Sequence, residues 1–128
     1  MKDYINLEKV SIQLLDKEII CTHNKSGYTI DANDAREIDN AQHVISRDLE
    51  VAMLVDIYNV DNKILKEAKE YFTKKGKMLA LTRAVAIVQK SGQDNLPGGF
   101  FSGLIKPIYP VKTFETRQDA LLWLREVN

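Results

Sequence analysis

Hydrophobic and polar positions along this chain change period several times, and each change marks an element. Val10, Ile12 and Leu14 alternate with Ser11 and Gln13, the two-residue repeat of a half-buried strand. Asp16-Lys17-Glu18 then predicts a polar turn before Ile19 to Thr22, which makes the opening an antiparallel hairpin. From Asp31 the repeat becomes helical: Ala35, Ile38, Ala41, Gln42 and Ile45 share one face, and Arg36, Asp39, Asn40, His43 and Arg47 take the other. Asp31 is the expected N-cap, since its carboxylate can accept from the free amides of the first turn.

Val51 to Val55 is apolar without alternation, as expected of a central strand covered on both faces. The next helix is predicted to start at Asp61, with Ile64, Leu65, Ala68, Tyr71 and Phe72 as its apolar stripe. Lys63/Glu67 and Lys66/Glu70 form i,i+4 pairs outside it, and Gly76 is its stop. Arg83 to Val88 reads as a second buried strand; Met78 to Leu81 before it fits either a helical turn or an extension of that strand. Ser91 to Gly103 is predicted to be a loop opening into a short helix, with Pro97 in its first turn and Lys106-Pro107 as its end. Val111 to Phe114 is a short strand, and Thr116 with Asp119 starts a last helix that docks through Ala120, Leu121 and Leu124. The sum is one α/β domain over residues 1–128: a mixed sheet of about five strands, opened by an antiparallel hairpin, with about four helices and right-handed crossovers.

Composition narrows the function classes. Eighteen basic and eighteen acidic residues cancel, so the net positive field that favours nucleic acid or an anionic membrane is missing. No apolar run approaches the roughly 20 residues needed to span a bilayer, so stable membrane insertion is not expected. A single cysteine, Cys21, and a start without an apolar signal run make the reducing cytoplasm the expected location. Cys21 has no cation or helix start beside it in sequence and reads as a buried structural thiol.

His23 and His43 belong to no metal-ligand spacing, so neither a metal nor any other cofactor is expected. Gly92, Gly98 and Gly99 are too irregular for a nucleotide fingerprint. Lys74, Lys75 and Lys77 read as a solvated helix end. Asp56 ends an apolar strand, where open α/β sheets place ligands, yet no base is adjacent in sequence and the simpler role is to hold the strand-helix loop by accepting backbone amides. Phe100, Phe101, Leu104 and Ile105 form an apolar cluster beside glycines that suits core packing, a dimer contact or a lid. Lys106 follows it as a cation for an anionic group or for a helix terminus.

This element order resembles the small bacterial STAS-like proteins, which share the fold of anti-sigma-factor antagonists. The resemblance is carried by Val55-Asp56-Ile57, Glu67 to Phe72, Ala84 to Val88, Phe100-Phe101, Lys106-Pro107, Pro110 to Lys112, Phe114 and Ala120 to Leu124. It implies kinship with STAS signalling domains and with CRAL-TRIO-type lipid-binding domains, and no particular activity. Signalling members carry a phosphorylatable serine at the helix start after the central strand; Asn59 to Lys63 holds no hydroxyl here, so the phospho-switch is expected to be absent. Relatives also often place Gly-Asn before the paired aromatics, where this chain has Gly98-Gly99.

The resulting expectation is a non-enzymatic regulatory or protein-interaction module that forms a homodimer. Its contact residues are Asp56, Tyr58, Asn59, Ser91, Phe100, Phe101 and Lys106, with no catalytic residue. The alternative is a carrier or sensor of a small apolar or lipid-like ligand, its pocket lined by the aromatic cluster and its polar end fixed by Lys106 or Asp56.

Overall fold

A computed structural model describes residues 3–92 and 108–127. Its strands are β1 (Tyr4–Asn6), β2 (Val10–Leu15), β3 (Ile19–Asn24), β4 (Tyr28–Ile30), β5 (Val51–Asp56), β6 (Asn62–Ile64), β7 (Thr82–Val88) and β8 (Val111–Phe114). Its α-helices are α1 (Ala32–Ser46), α2 (Lys66–Glu70) and α3 (Arg117–Glu126). Six strands form one mixed sheet in the order β1-β2-β3-β5-β7-β8, and β4 pairs with β6 in a separate parallel ribbon. The first three strands are antiparallel neighbours, whereas β3, β5, β7 and β8 run parallel. This is the α/β mixed sheet opened by a hairpin that the periodicity implies, with β1 added at the edge. The short helix expected beyond Ser91 lies outside the described residues.

The β2–β3 hairpin closes where expected. Asp16 and Lys17 both take positive φ, 54° and 65°. That left-handed pair matches the twist of the strands it joins. Asp31 caps α1 in a reciprocal capping box with Asp34, whose carboxylate also meets Lys9 Nζ at 2.7 Å. Burial alone would raise Asp34, but the Asp31 amide and the Lys9 ammonium outweigh it and hold the carboxyl below its ordinary value. The start of β2 is thereby tied to the start of α1.

The sheet is covered on both faces. Ile20, Met53, Val55, Val85 and Ile87 pack towards Ile38, Ala41 and Ile45 of α1 and Ala68 of α2. Cys21, Ala52, Leu54, Ala84, Ala86 and Val88 pack towards Ala120 and Leu124 of α3. The three alanines on β5 and β7 leave room for α3 to sit close, and Trp123 closes the flank against Phe114 with ring centroids 5.7 Å apart. Thr116 accepts from the Asp119 amide to start α3, as the sequence suggests.

Two expectations are corrected. Asp61 does not cap a helix. Asn62–Ile64 is strand, and α2 begins only after Leu65. The reason is non-local: Asn62 Nδ2 donates to the Lys25 and Tyr28 carbonyls, which fixes β6 beside β4. The helix then widens into a π-turn over Tyr71–Lys75 that ends at Gly76, and a 3₁₀ turn follows at Lys77–Ala80, which resolves the ambiguity before β7.

Asp39 is the second correction. Expected on the polar face of α1, it is 1% exposed, and its carboxylate accepts from the amides of Lys77 at 2.8 Å and Met78 at 3.0 Å. It caps the 3₁₀ turn from another element. Gly76 is required by the same contact, because a Cβ there would lie 2.7 Å from Asp39 Oδ1. Asp39→Ala is expected to destabilise the fold by about 1–3 kcal/mol, the cost of leaving buried amides without an acceptor. Gly76→Ala is expected to destabilise in the same direction. Urea denaturation measures both; unchanged midpoints for the two variants would refute the clamp.

Candidate functional site at the carboxyl edge of the sheet

The parallel strands β3, β5 and β7 end together, and the chemistry-bearing side chains of the chain meet there. Register places His23 opposite Asp56 on β3 and β5, and Asp56 opposite Val88 on β7. Because side chains alternate across a strand, His23 and Asp56 both emerge on the α3 face. Arg117, the first residue of α3, completes the group. Asp56 Oδ2 lies 3.4 Å from His23 Nδ1 and 4.0 Å from Arg117 Nη1. The Asp56 side chain is only 9% exposed, whereas those of His23 and Arg117 are about half exposed at 52% and 48%. A buried carboxylate therefore sits beneath two surface groups able to carry positive charge.

Asp56 also organises the loop that follows it. Its Oδ1 accepts from the Tyr58 amide at 3.2 Å, and the Val60 amide donates to the Ile57 carbonyl to close a turn. Asn59 takes φ 54° inside that turn, a left-handed conformation that asparagine adopts more readily than most residues. Tyr58 is left 47% exposed at the rim. The simpler role expected for Asp56, fixing the loop through backbone amides, is thus observed. The base missing from its sequence neighbourhood is supplied across the sheet by His23.

Of the remaining expected contact residues, Ser91 lies in an exposed turn beyond β7. Phe100, Phe101 and Lys106 lie outside the described residues, together with the aromatic cluster to which they belong. His23 and Arg117 are the additions that sequence reading did not place. The strand-end position of His23 hinted at it, and nothing local signalled Arg117.

Cys21 lies two residues before His23 on the same face and is buried. It is not without a cation: Arg117 Nη2 approaches its Sγ at 3.5 Å. Burial nevertheless dominates and pushes the thiol up, Arg117 pulls against it, and Asp56 adds to the rise. Among the described residues no group of three or more His, Cys, Asp and Glu side chains is arranged to hold a metal ion.

A concavity lies on the other face, between α1, the segment after α2 and the sheet. It is a cavity of about 60 Å³. Thr22, Asn24 and Gln42 contribute polar groups to its lining, and Met53, Val55 and Val85 contribute apolar ones. Gln42 Nε2 donates to Thr22 Oγ1 at 2.9 Å, and Asn24 Nδ2 donates to Asn62 Oδ1 at 3.1 Å. Tyr109 also lines it, and burial pushes its phenol above the ordinary value.

The buried thiol gives a direct test of the edge. In the native protein Cys21 is expected to react with a disulfide reagent such as DTNB at least tenfold more slowly than in the urea-unfolded chain at the same pH. Equal rates would show that the α3 face is open there.

No curated protein matches the chain. Among solved structures it is similar to an uncharacterized protein of the DUF3478 family with a SpoIIAA-like fold from Shewanella loihica PV-4. The TM-score is 0.60 at 19% identity, over 94% of this chain and 97% of that one. The fold is therefore SpoIIAA-like, in agreement with the STAS-like resemblance of the sequence. No helix among the described residues is long and apolar enough to cross a membrane. A family model described as a domain of unknown function, DUF7793, matches residues 13–128, and the chain belongs to that family.

Proposed function

We propose that this protein is a non-enzymatic regulatory or protein-interaction module, a cytoplasmic homodimer, whose contact surface is the carboxyl edge of the parallel strands. One observation carries the reading: the buried Asp56 holds the turn that presents Tyr58, beside the half-exposed His23 and Arg117. An exposed tyrosine on a fixed turn together with an arginine is the residue chemistry enriched where protein contacts are strongest, because both bury large area. One oxygen of the Asp56 carboxylate accepts the Tyr58 amide, as a turn-holding side chain does. A SpoIIAA-like neighbour of uncharacterised function is compatible with such a module. Regulation through a serine at the helix start is no part of this reading, since the turn after β5 carries no hydroxyl other than the phenol of Tyr58.

The second reading is a carrier of a small ligand. The cavity on the α1 face favours it; the aromatic cluster expected to line a pocket lies outside the described residues.

Tyr58→Ala combined with Arg117→Ala tests the first reading. The pair is expected to weaken self-association, or retention of a purified partner, by tenfold or more, equivalent to about 1.4 kcal/mol. The melting temperature should change little, because both side chains are about half exposed. Native mass spectrometry and sedimentation equilibrium read the subunit number. A monomer, or association indifferent to both substitutions, would remove the edge as the contact surface.

A further inference from the structure

We infer that the cavity between α1 and the sheet is a binding site for a small, uncharged molecule with a short aliphatic body and one hydrogen-bonding head. This rests on the carrier reading and gives it a place and a ligand class. About 60 Å³ has room for about four to six waters at 10–15 Å³ each, and a buried water makes about three hydrogen bonds. The apolar wall of Met53, Val55 and Val85 can supply none of them. Waters lying against that wall find no partner on that side. An aliphatic body of about four or five non-hydrogen atoms fits the same space and needs no partner along that wall.

The polar end sets the head. Asn62 Nδ2 donates to the Lys25 and Tyr28 carbonyls, so Asn62 Oδ1 must be the acceptor facing Asn24, and Asn24 must present Nδ2 to it. This chain of bonds fixes the Asn24 amide and leaves its carbonyl oxygen as an acceptor. Gln42 Nε2 donates to Thr22 Oγ1, which leaves the Gln42 carbonyl oxygen as a second acceptor. Both amides belong to residues more than nine-tenths buried, at 5% and 7% exposure. The head of choice therefore carries donors for Asn24 and Gln42: a primary amide has two N–H groups and can serve both, and a hydroxyl serves one.

Charge is disfavoured. Asp39 is the ionic side chain in the lining, and its two carboxylate oxygens are already engaged by the Lys77 and Met78 amides. An anion entering here would lose its hydration and meet a carboxylate in the lining instead of a counter-charge, whereas a neutral amide would exchange hydrogen bonds.

Butyramide and butyrate, alike in size and different in charge, are the probes. Titration of the isotope-labelled full chain, followed by amide chemical shifts, is expected to show butyramide perturbing Thr22, Gln42, Val55 and Val85, with butyrate at least tenfold weaker. Gln42→Met keeps the volume and removes the carbonyl acceptor along with the bond to Thr22; it should weaken butyramide about tenfold. Val55→Ile, which adds a methyl group to the lining, should weaken it further and raise the melting temperature if it fills space. Shifts confined to Tyr58 and Asn59, equal response to both probes, or a folded Gln42→Met that binds as before would each overturn the assignment. Native mass spectrometry of the freshly purified protein separates the two ideas. A co-purifying mass together with a butyramide-silent cavity leaves the carrier reading standing and removes this site; no such mass, with no cavity shifts, removes both.

Discussion

A single buried carboxylate decides how the helical layer meets the sheet. Asp39 reaches from α1 to the amides of Lys77 and Met78, at the point where the chain leaves its π-turn and prepares to enter β7. Those amides are free because every helical turn begins with donors that have no partner of its own. Supplying the acceptor from α1 makes the start of the 3₁₀ turn a tertiary contact. It locks α1 to the crossover and fixes where β7 begins, and with it the register that sets β7 beside β5. Gly76 follows from the same demand, since the carboxylate occupies the space a side chain would need. Two residues far apart in sequence thus form one constraint.

Most of the architecture was legible because it rests on local periodicity. The β2–β3 hairpin, α1 with its Asp31 cap, the doubly covered β5 and the Thr116-capped α3 each announce themselves within about a dozen residues. The failures share a cause. Asp39 falls on the polar arc of α1 by spacing alone, and only the return of the chain at Lys77 gives it a buried partner. Ile64 and Leu65 fit a helical stripe with Ala68, yet Asn62 is captured by carbonyls of the β3–β4 connection and β4, so pairing overrides the local repeat. Propensity is a weak prior when a tertiary hydrogen bond competes with it.

The candidate edge shows the same division. Asp56 could be singled out because strand ends in α/β sheets are where ligands gather. Its loop-holding role could be stated too, because a carboxylate one residue before a turn has amides within reach. His23 and Arg117 could not be assigned to it, since one arrives through the β3–β5 register and the other through the docking of α3 on the alanine-rich face. The charge of the edge is a property of topology.

The polar edge and the cavity are linked by strand alternation. Thr22 and Val55 face the cavity, and the next residues along the same strands, His23 and Asp56, emerge on the opposite face. A slip of one residue in β3 or β5 would turn the imidazole and the carboxylate towards the apolar lining and expose the residues that cover it. Placing an ionisable pair there without its Arg117 partner costs far more than any single packing contact. The polar edge therefore enforces the register that keeps the cavity wall apolar, and the apolar wall enforces the register that brings His23 to Asp56. Each feature is a structural reason for the other, whichever of them a partner or ligand uses.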